Sequence, residues 1–360
     1  MSSKIGILTF HCGPNYGGFM QAWHLREAVR SLGYSCDVIN YLHPIHVASN
    51  KVKLPLTSLG ALKARVHWYL KSRPFRSLEN LLCDTSFAPV PSAIPWERYS
   101  ALVVGSDVIW DFSTPRFGQD PVYFGSACPE QESLPIMSYA ASCGSADISI
   151  SAPDYFLGLK RFSAISVRDR MTAKFVEKIT HRIPEIVADP TCLQEDPMIK
   201  CKSLPPRPYV LVYGGALDEQ RDHALGRWAR KQGLEVLSLA SPCRSATCRL
   251  RSISPFEWVD AFRNAQAVVT GTFHGLLYAI KYARPFAMVC LPAAANKSQT
   301  VIDKFNLSQR CIGDQECFTD DFLNASLLHP CTEAAQNSKQ WGQESMAFLG
   351  RSIQSMVSHA

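Results

Sequence analysis

Long apolar runs are missing from this 360-residue chain. No stretch approaches the roughly 18 residues of a membrane span, and its most apolar segments, such as Tyr209 to Tyr213, are of strand length. The opening, Met1 to Leu8, has no basic n-region, no long apolar core and no small-residue cleavage site, so no secretion signal is expected and a cytoplasmic protein is. The 13 cysteines are odd in number and scattered from Cys12 to Cys331, with no C-x-x-C pair and no zinc-type Cys/His spacing. Reduced, mostly buried thiols are expected, with Cys243 and Cys248 near each other by chance rather than as a disulfide or half a metal site. Asn15-Tyr16-Gly17-Gly18 does not match G-x-G-x-x-G and no P-loop occurs, so neither NAD nor ATP is indicated as a cofactor. His43 and His46 are three apart, but Pro44 intervenes and no third ligand is evident, so no metal is expected. A net charge of +6 is too mild to suggest nucleic acid as a partner. It suits an anionic substrate. Repeats and low-complexity tracts are absent.

What is present is 46% hydrophobic residues in a chain long enough for two cores. Ile5 to Phe10 reads as a strand, His11 to Gly18 as a turn and Phe19 to Leu32 as a helix ending at Gly33, followed by a strand from Val38 to Tyr41. That is a βαβ unit, the opening of a doubly wound parallel sheet. Further strands are expected at Ala101 to Gly105, Ile136 to Ser142 and Ala164 to Val167, with a helix from Thr172 to Ile179. Between Leu193 and Pro208 the composition turns to Pro, Lys and Ser, as in a linker. A second Rossmann-like series follows: strand Tyr209 to Tyr213, helix Asp218 to Gln232, strand Gly233 to Leu239 and a helix over Pro255 to Asn264. Ser254, Pro255 and Glu257 supply that last helix with an N-cap, an N1 proline and a capping box. Strand Ala267 to Thr270, helix Gly275 to Tyr282 and strand Pro285 to Leu291 complete it. The reading is α/β, with Rossmann-like domains over 1–195 and 208–332 and a helical tail over 333–360. An insertion over 44–95 departs from the rhythm. From Lys51 to Arg76 it holds seven Lys or Arg and no acid, with Trp68, Tyr69 and Phe75 among them. This is the pattern of an interfacial element meeting anionic lipid or an anionic substrate, or of a solvated basic face.

Thr270-Gly271-Thr272-Phe273-His274-Gly275 is a strand turning into a helix, which presents backbone N–H groups to an anion. His274, with Thr272 and Gly275 around it, stands where open α/β sheets bind ligands. It either transfers a proton or pairs with phosphate, or it is a core or capping histidine. Arg168, at the carboxyl end of its strand, suits bidentate recognition of carboxylate or phosphate; the alternative is a surface ion pair. Lys297 follows His274 by one strand and either returns to the same place or lies on the surface. Asp107, in Gly105-Ser106-Asp107, either polarises a sugar hydroxyl or caps a helix.

Taken in order, these segments resemble the polysaccharide pyruvyl transferase family over about residues 4 to 305. The similar parts are Ile5 to Phe10 with Asn15 to Gly18 and Gln21-Ala22, Gly105-Ser106-Asp107 with Trp110, and Ser138 to Ser142. They continue with Ile165 to Arg168, Asp189-Pro190-Thr191, Thr272 to Gly275 and Arg284-Pro285-Phe286. Cys12-Gly13-Pro14 and the basic insertion depart from the pattern. The resemblance implies two Rossmann-like domains facing across a cleft, as in glycosyltransferases of the B architecture. It implies transfer of pyruvate from phosphoenolpyruvate, a co-substrate rather than a cofactor, to a glycan as a cyclic ketal. His274, Arg168 and Lys297, with Thr272 and Gly275, are then expected on the donor side, and Asn15, Tyr16, Gly17 and Asp107 on the acceptor side. A glycan acceptor, lipid-linked or free, is the expected partner, and the basic insertion suggests contact with the inner membrane face. The competing readings are a nucleotide-sugar glycosyltransferase of the same architecture and a glycan- or lipid-binding module without activity.

Overall fold

The computed structural model describes residues 4–49, 59–76, 78–114, 119–126, 134–149, 154–239 and 241–358. The strands are β1 (Lys4–Leu8), β2 (Ser35–Val38), β3 (Ala101–Val104), β4 (Ile136–Ala141), β5 (Ala164–Val167), β6 (Glu185–Ile186), β7 (Tyr209–Tyr213), β8 (Glu235–Leu239), β9 (Cys248–Leu250), β10 (Ala267–Thr270), β11 (Phe286–Cys290) and β12 (Cys311–Gly313). The helices are α1 (Tyr16–Ser31), α2 (Pro44–Ser49), α3 (Leu59–Arg76), α4 (Glu79–Leu82), α5 (Arg170–Thr180), α6 (Glu219–Lys231), α7 (Pro255–Asn264), α8 (Phe273–Lys281), α9 (Pro292–Lys304), α10 (Asp320–Leu327) and α11 (Thr332–Ser358). Helix and strand alternate because each buried run of β-branched and aliphatic residues must be covered on both faces.

Two compact units result. The first comprises 1–62, 76–194 and 340–360, the second 63–75 and 195–339. The chain passes from one to the other between Gln194 and Glu195, at the start of the Pro- and Lys-rich stretch. The insertion is shared: most of it stays with the first unit, whereas 63–75 of α3 group with the second. The helical tail is shared too, because α11 runs unbroken past residue 339 and delivers its last turns to the first unit.

Each unit holds a six-stranded sheet, all parallel, in the order β2-β1-β3-β4-β5-β6 in the first and β12-β11-β10-β7-β8-β9 in the second. In the first sheet the connections reverse direction between β1 and β3, in the second between β7 and β10. At such a switch point the loops leaving two neighbouring strands diverge to opposite faces and open a crevice at their carboxyl ends. The fold therefore designates two places: the loops after β1 and β3, and the loops after β7 and β10.

Capping chemistry sets several helix starts. Ser254 and Glu257 form the expected capping box of α7, and Asp218, Asp169 and Thr319 cap α6, α5 and α10. In the first unit an aromatic cluster packs beneath the β3 and β4 loops: Trp110 stacks on Phe124, its Nε1 donates to the Tyr123 carbonyl at 2.7 Å, and Phe112 stacks on Phe175. In the second, Trp228 and Trp258 are almost fully buried. Cys243 and Cys248 are free thiols. His46 is buried against the ring of Phe10, 4.3 Å between centroids. Among the described residues no helix is long and apolar enough to cross a membrane.

Candidate active site

At the switch point of the second sheet, three loops interlock. Thr272 caps α8 by accepting from the Gly275 amide at 3.1 Å, and Thr270 Oγ1 accepts from the Thr272 amide at 3.2 Å. A Cβ on Gly275 would lie 2.1 Å from Thr270 Oγ1, so only glycine permits this hydroxyl pair beneath the helix start. The loop after β7 closes on the same turn. Gly214 has φ +85°, and a Cβ there would lie 2.2 Å from the Thr272 methyl. Its amide and that of Gly215 donate to Ser241 Oγ, from the loop after β8, at 2.8 and 3.2 Å.

The interlocked loops place His274 at the second position of α8, half-buried and set edge-on to Phe273. The helix begins at Phe273, two residues earlier than the sequence suggests, because Thr272 and not a later residue supplies the cap. His274 therefore sits in the first turn, at the positive end of the helix dipole. Lys297 lies on α9, half-buried, five residues past the helix start at Pro292 and so about 7.5 Å along its axis. The structure thus places it within a helix, in the second turn.

The switch point of the first sheet is held by Gln21, which is fully buried. Its Nε2 donates to the carbonyls of Phe10 and Gly18, both at 2.9 Å, and its Oε1 accepts from the Ser106 amide at 3.3 Å. Thr9 Oγ1 donates to the Ser106 carbonyl at 3.1 Å. One amide side chain thereby ties the β1 loop to the β3 loop. Asn15 is exposed and caps α1, its side chain accepting from the Gly18 amide at 3.2 Å. Tyr16 and Gly17 are buried in the first turn of α1, so of the three acceptor candidates in this segment only Asn15 lies at the surface. His11 is also buried in this loop, with Nδ1 3.1 Å from the Thr9 carbonyl, and burial holds its pKa below the ordinary 6.5.

Asp107 ends the β3 loop in a left-handed conformation, φ +70°, and its carbonyl accepts from the Ser142 amide at 3.0 Å. It caps no helix. One Oδ lies 3.7 Å from Arg168 Nη2. Arg168 itself is 1% exposed, and its Nη1 donates to Asp189 at 2.8 Å. Asp189 in turn accepts from the amide and hydroxyl of Thr191 at 3.0 and 2.8 Å. Arg168 is thus neither a surface ion pair nor a freely exposed fork. It is the buried partner of Asp189 and the neighbour of Asp107. Asp169 completes this layer by capping α5 and accepting from Ser142 Oγ at 2.6 Å.

Sequence reasoning passed over Gly214, Gly215, Ser241 and His11. Two consecutive glycines directly after a strand were the available signal for the first pair. Ser241 and His11 carried none, since their places follow from strand order alone.

Two parallel α/β sheets, each with polar loops gathered at its switch point, define a two-domain Rossmann-like scaffold, the architecture of glycosyltransferases of the B type. The profile of one family, polysaccharide pyruvyl transferase, matches residues 15–289. The chain belongs to the polysaccharide pyruvyl transferase family. A comparison with curated proteins finds no match. Among solved structures, the chain is similar to the glycosyltransferase SnogD from Streptomyces nogalater, with 13% identity, a TM-score of 0.50, and 99% of this chain and 100% of that one covered. It is likewise similar to Arabidopsis thaliana UGT89C1 complexed with UDP-L-rhamnose, with 11% identity, a TM-score of 0.51 and coverage of 99% and 100%. At such identities the likeness speaks for the fold alone.

Proposed function

We propose that the protein transfers pyruvate from phosphoenolpyruvate to a glycan as a cyclic ketal, releasing phosphate. The observation that carries this reading is His274 in the first turn of α8, at the switch point of the second sheet, in a chain of this family. A sugar hydroxyl adds to C2 of phosphoenolpyruvate while a proton is delivered to C3. Phosphate then leaves with its bonding electrons, and a second hydroxyl of the same sugar captures the oxocarbenium-like carbon. One hydroxyl proton is balanced by the new methyl group and the other leaves with phosphate. His274 supplies the proton to C3 or neutralises the leaving phosphate, which the helix dipole also favours. Lys297 adds positive charge on the donor side. Asp107 and Asn15 orient the acceptor hydroxyls; Arg168, expected on the donor side, is instead assigned to holding Asp107, since it is buried against Asp189 and lies 3.7 Å from Asp107.

The test is incubation with phosphoenolpyruvate and a panel of free and lipid-linked glycans, following phosphate release and the mass gain of one pyruvyl ketal. Phosphoenolpyruvate alone should raise the melting temperature. Stabilisation by UDP- or GDP-sugars instead, with no ketal formed, would assign the scaffold to nucleotide-sugar chemistry. A glycan bound with neither reaction would make it a binding module.

A further inference from the structure

The basic insertion takes no part in the chemistry above, yet its described residues form an unusual surface. Helix α3 contains Lys63, Arg65, Lys71, Arg73 and Arg76 and no acid. Residues 62, 65, 66, 69 and 73 recur at helical spacing and fall within an arc of about 100°. Every one of them is exposed: Leu62 by 48%, Val66 by 50% and Tyr69 by 52%, and Arg65 and Arg73 with them. The opposite side is turned inward. Ser72 and Phe75 are buried, and Lys71 is half-buried, its ammonium pKa pushed down by desolvation. The helix is therefore packed by one face and offers the other, on which Leu62, Val66 and Tyr69 are interspersed with Arg65 and Arg73. The feature is also local. Seven of the twelve exposed large apolar side chains among the described residues lie between Ile45 and Val90.

We propose that this face of α3 docks on an anionic lipid bilayer. The charge decides between occupants. A second copy of the chain would set arginine against arginine, whereas anionic headgroups complement both arginines and allow Leu62, Val66 and Tyr69 to enter the headgroup boundary. This inference goes beyond the proposed reaction and needs no turnover to test.

The experiment is co-sedimentation of the full chain with vesicles of phosphatidylcholine alone and of phosphatidylcholine with phosphatidylglycerol, at low and high salt. Binding is expected only to the anionic vesicles and should weaken as salt screens the arginines. Arg65→Gln with Arg73→Gln should lower the partition coefficient by roughly 25-fold, about fivefold for each charge. Leu62→Ser with Val66→Ser should abolish the binding that survives high salt. Both pairs change exposed residues, so unaltered thermal melting confirms that they fold. Absence of binding to anionic vesicles at low salt, or equal binding by the Arg65→Gln/Arg73→Gln variant, overturns the proposal. A dimer in analytical ultracentrifugation that the serine variant dissociates would overturn it in favour of a second copy.

Discussion

At the scale of single residues, the two side chains singled out for chemistry have opposite surroundings. His274 is half-buried at a helix start, whereas Arg168 is almost fully buried and paired with Asp189. His274→Gln keeps the size and a hydrogen-bonding head but cannot carry the proton. Ketal formation should fall by about 10² to 10⁴, with the melting temperature nearly unchanged; full activity in the variant would leave His274 a structural residue only. Arg168→Lys keeps the charge and loses the fork that reaches Asp189 and Asp107 together. It should cost the first unit about 1–3 kcal/mol and raise the KM for acceptor, while phosphoenolpyruvate affinity is kept. Weaker phosphoenolpyruvate binding at unchanged stability would place Arg168 on the donor instead.

At the scale of elements, α8 is fixed at both ends. Its start is set by Thr270, Thr272 and Gly275. Its end is held by Asp196, the second residue after the passage between units, whose carboxylate accepts from Tyr278 at 3.0 Å and Tyr282 at 2.6 Å and pairs with Lys281 at 2.7 Å. Arg263, itself paired with Asp260, donates to the Tyr282 hydroxyl. The helix that carries His274 is thus anchored to the linker. Asp196→Asn leaves Lys281 without its buried counter-charge and should destabilise the second unit by about 3 kcal/mol, near 6–12 °C of melting temperature. Turnover should fall with it if the anchor positions His274. A drop in stability alone would confine Asp196 to a structural duty. These elements were partly legible beforehand. Strands β7 and β10 and helix α7 stand where their composition puts them, because apolar runs of four or five residues bounded by turn chemistry have few alternatives. The edge strands β9 and β12, three residues each, were not seen, since so short a segment has no period and is held only by its neighbour in the sheet. Strand β2 lies three residues earlier than Val38, because its partners on β1 pair with Ser35 to Val38.

At the scale of the whole molecule, α11 makes the first unit depend on the end of the chain. Beyond residue 339 it buries Trp341, Leu349, Ile353 and Met356, and Ser345 Oγ accepts from the Ala188 amide at 2.9 Å. The approach is close enough that a Cβ on Gly342 would lie 2.2 Å from the Cys192 carbonyl. Four such side chains are worth roughly 6–12 kcal/mol, comparable with the stability of an ordinary domain. A chain ending at Lys339 should therefore lose the cooperative melting of its first unit in calorimetry while the second unit's transition persists. Two undisturbed transitions would show that the tail merely rests there.

The sequence by itself determined the α/β class, the two Rossmann-like series, the motif segments and their family, and the charge of the insertion. These are local properties: burial patterns, caps and spacings act over a few residues and are written along the chain. Only the tertiary structure decided that the loops after β1 and β3, and after β7 and β10, come together, since strand order is set by which edges pair. For the same reason only the fold could reveal that Gln21 reaches Ser106, 85 positions away, that Arg168 meets Asp189, and that α3 turns Lys71 inward and Arg65 outward. Partners of that kind are chosen by packing across the sheet, and nothing in the neighbouring residues records the choice.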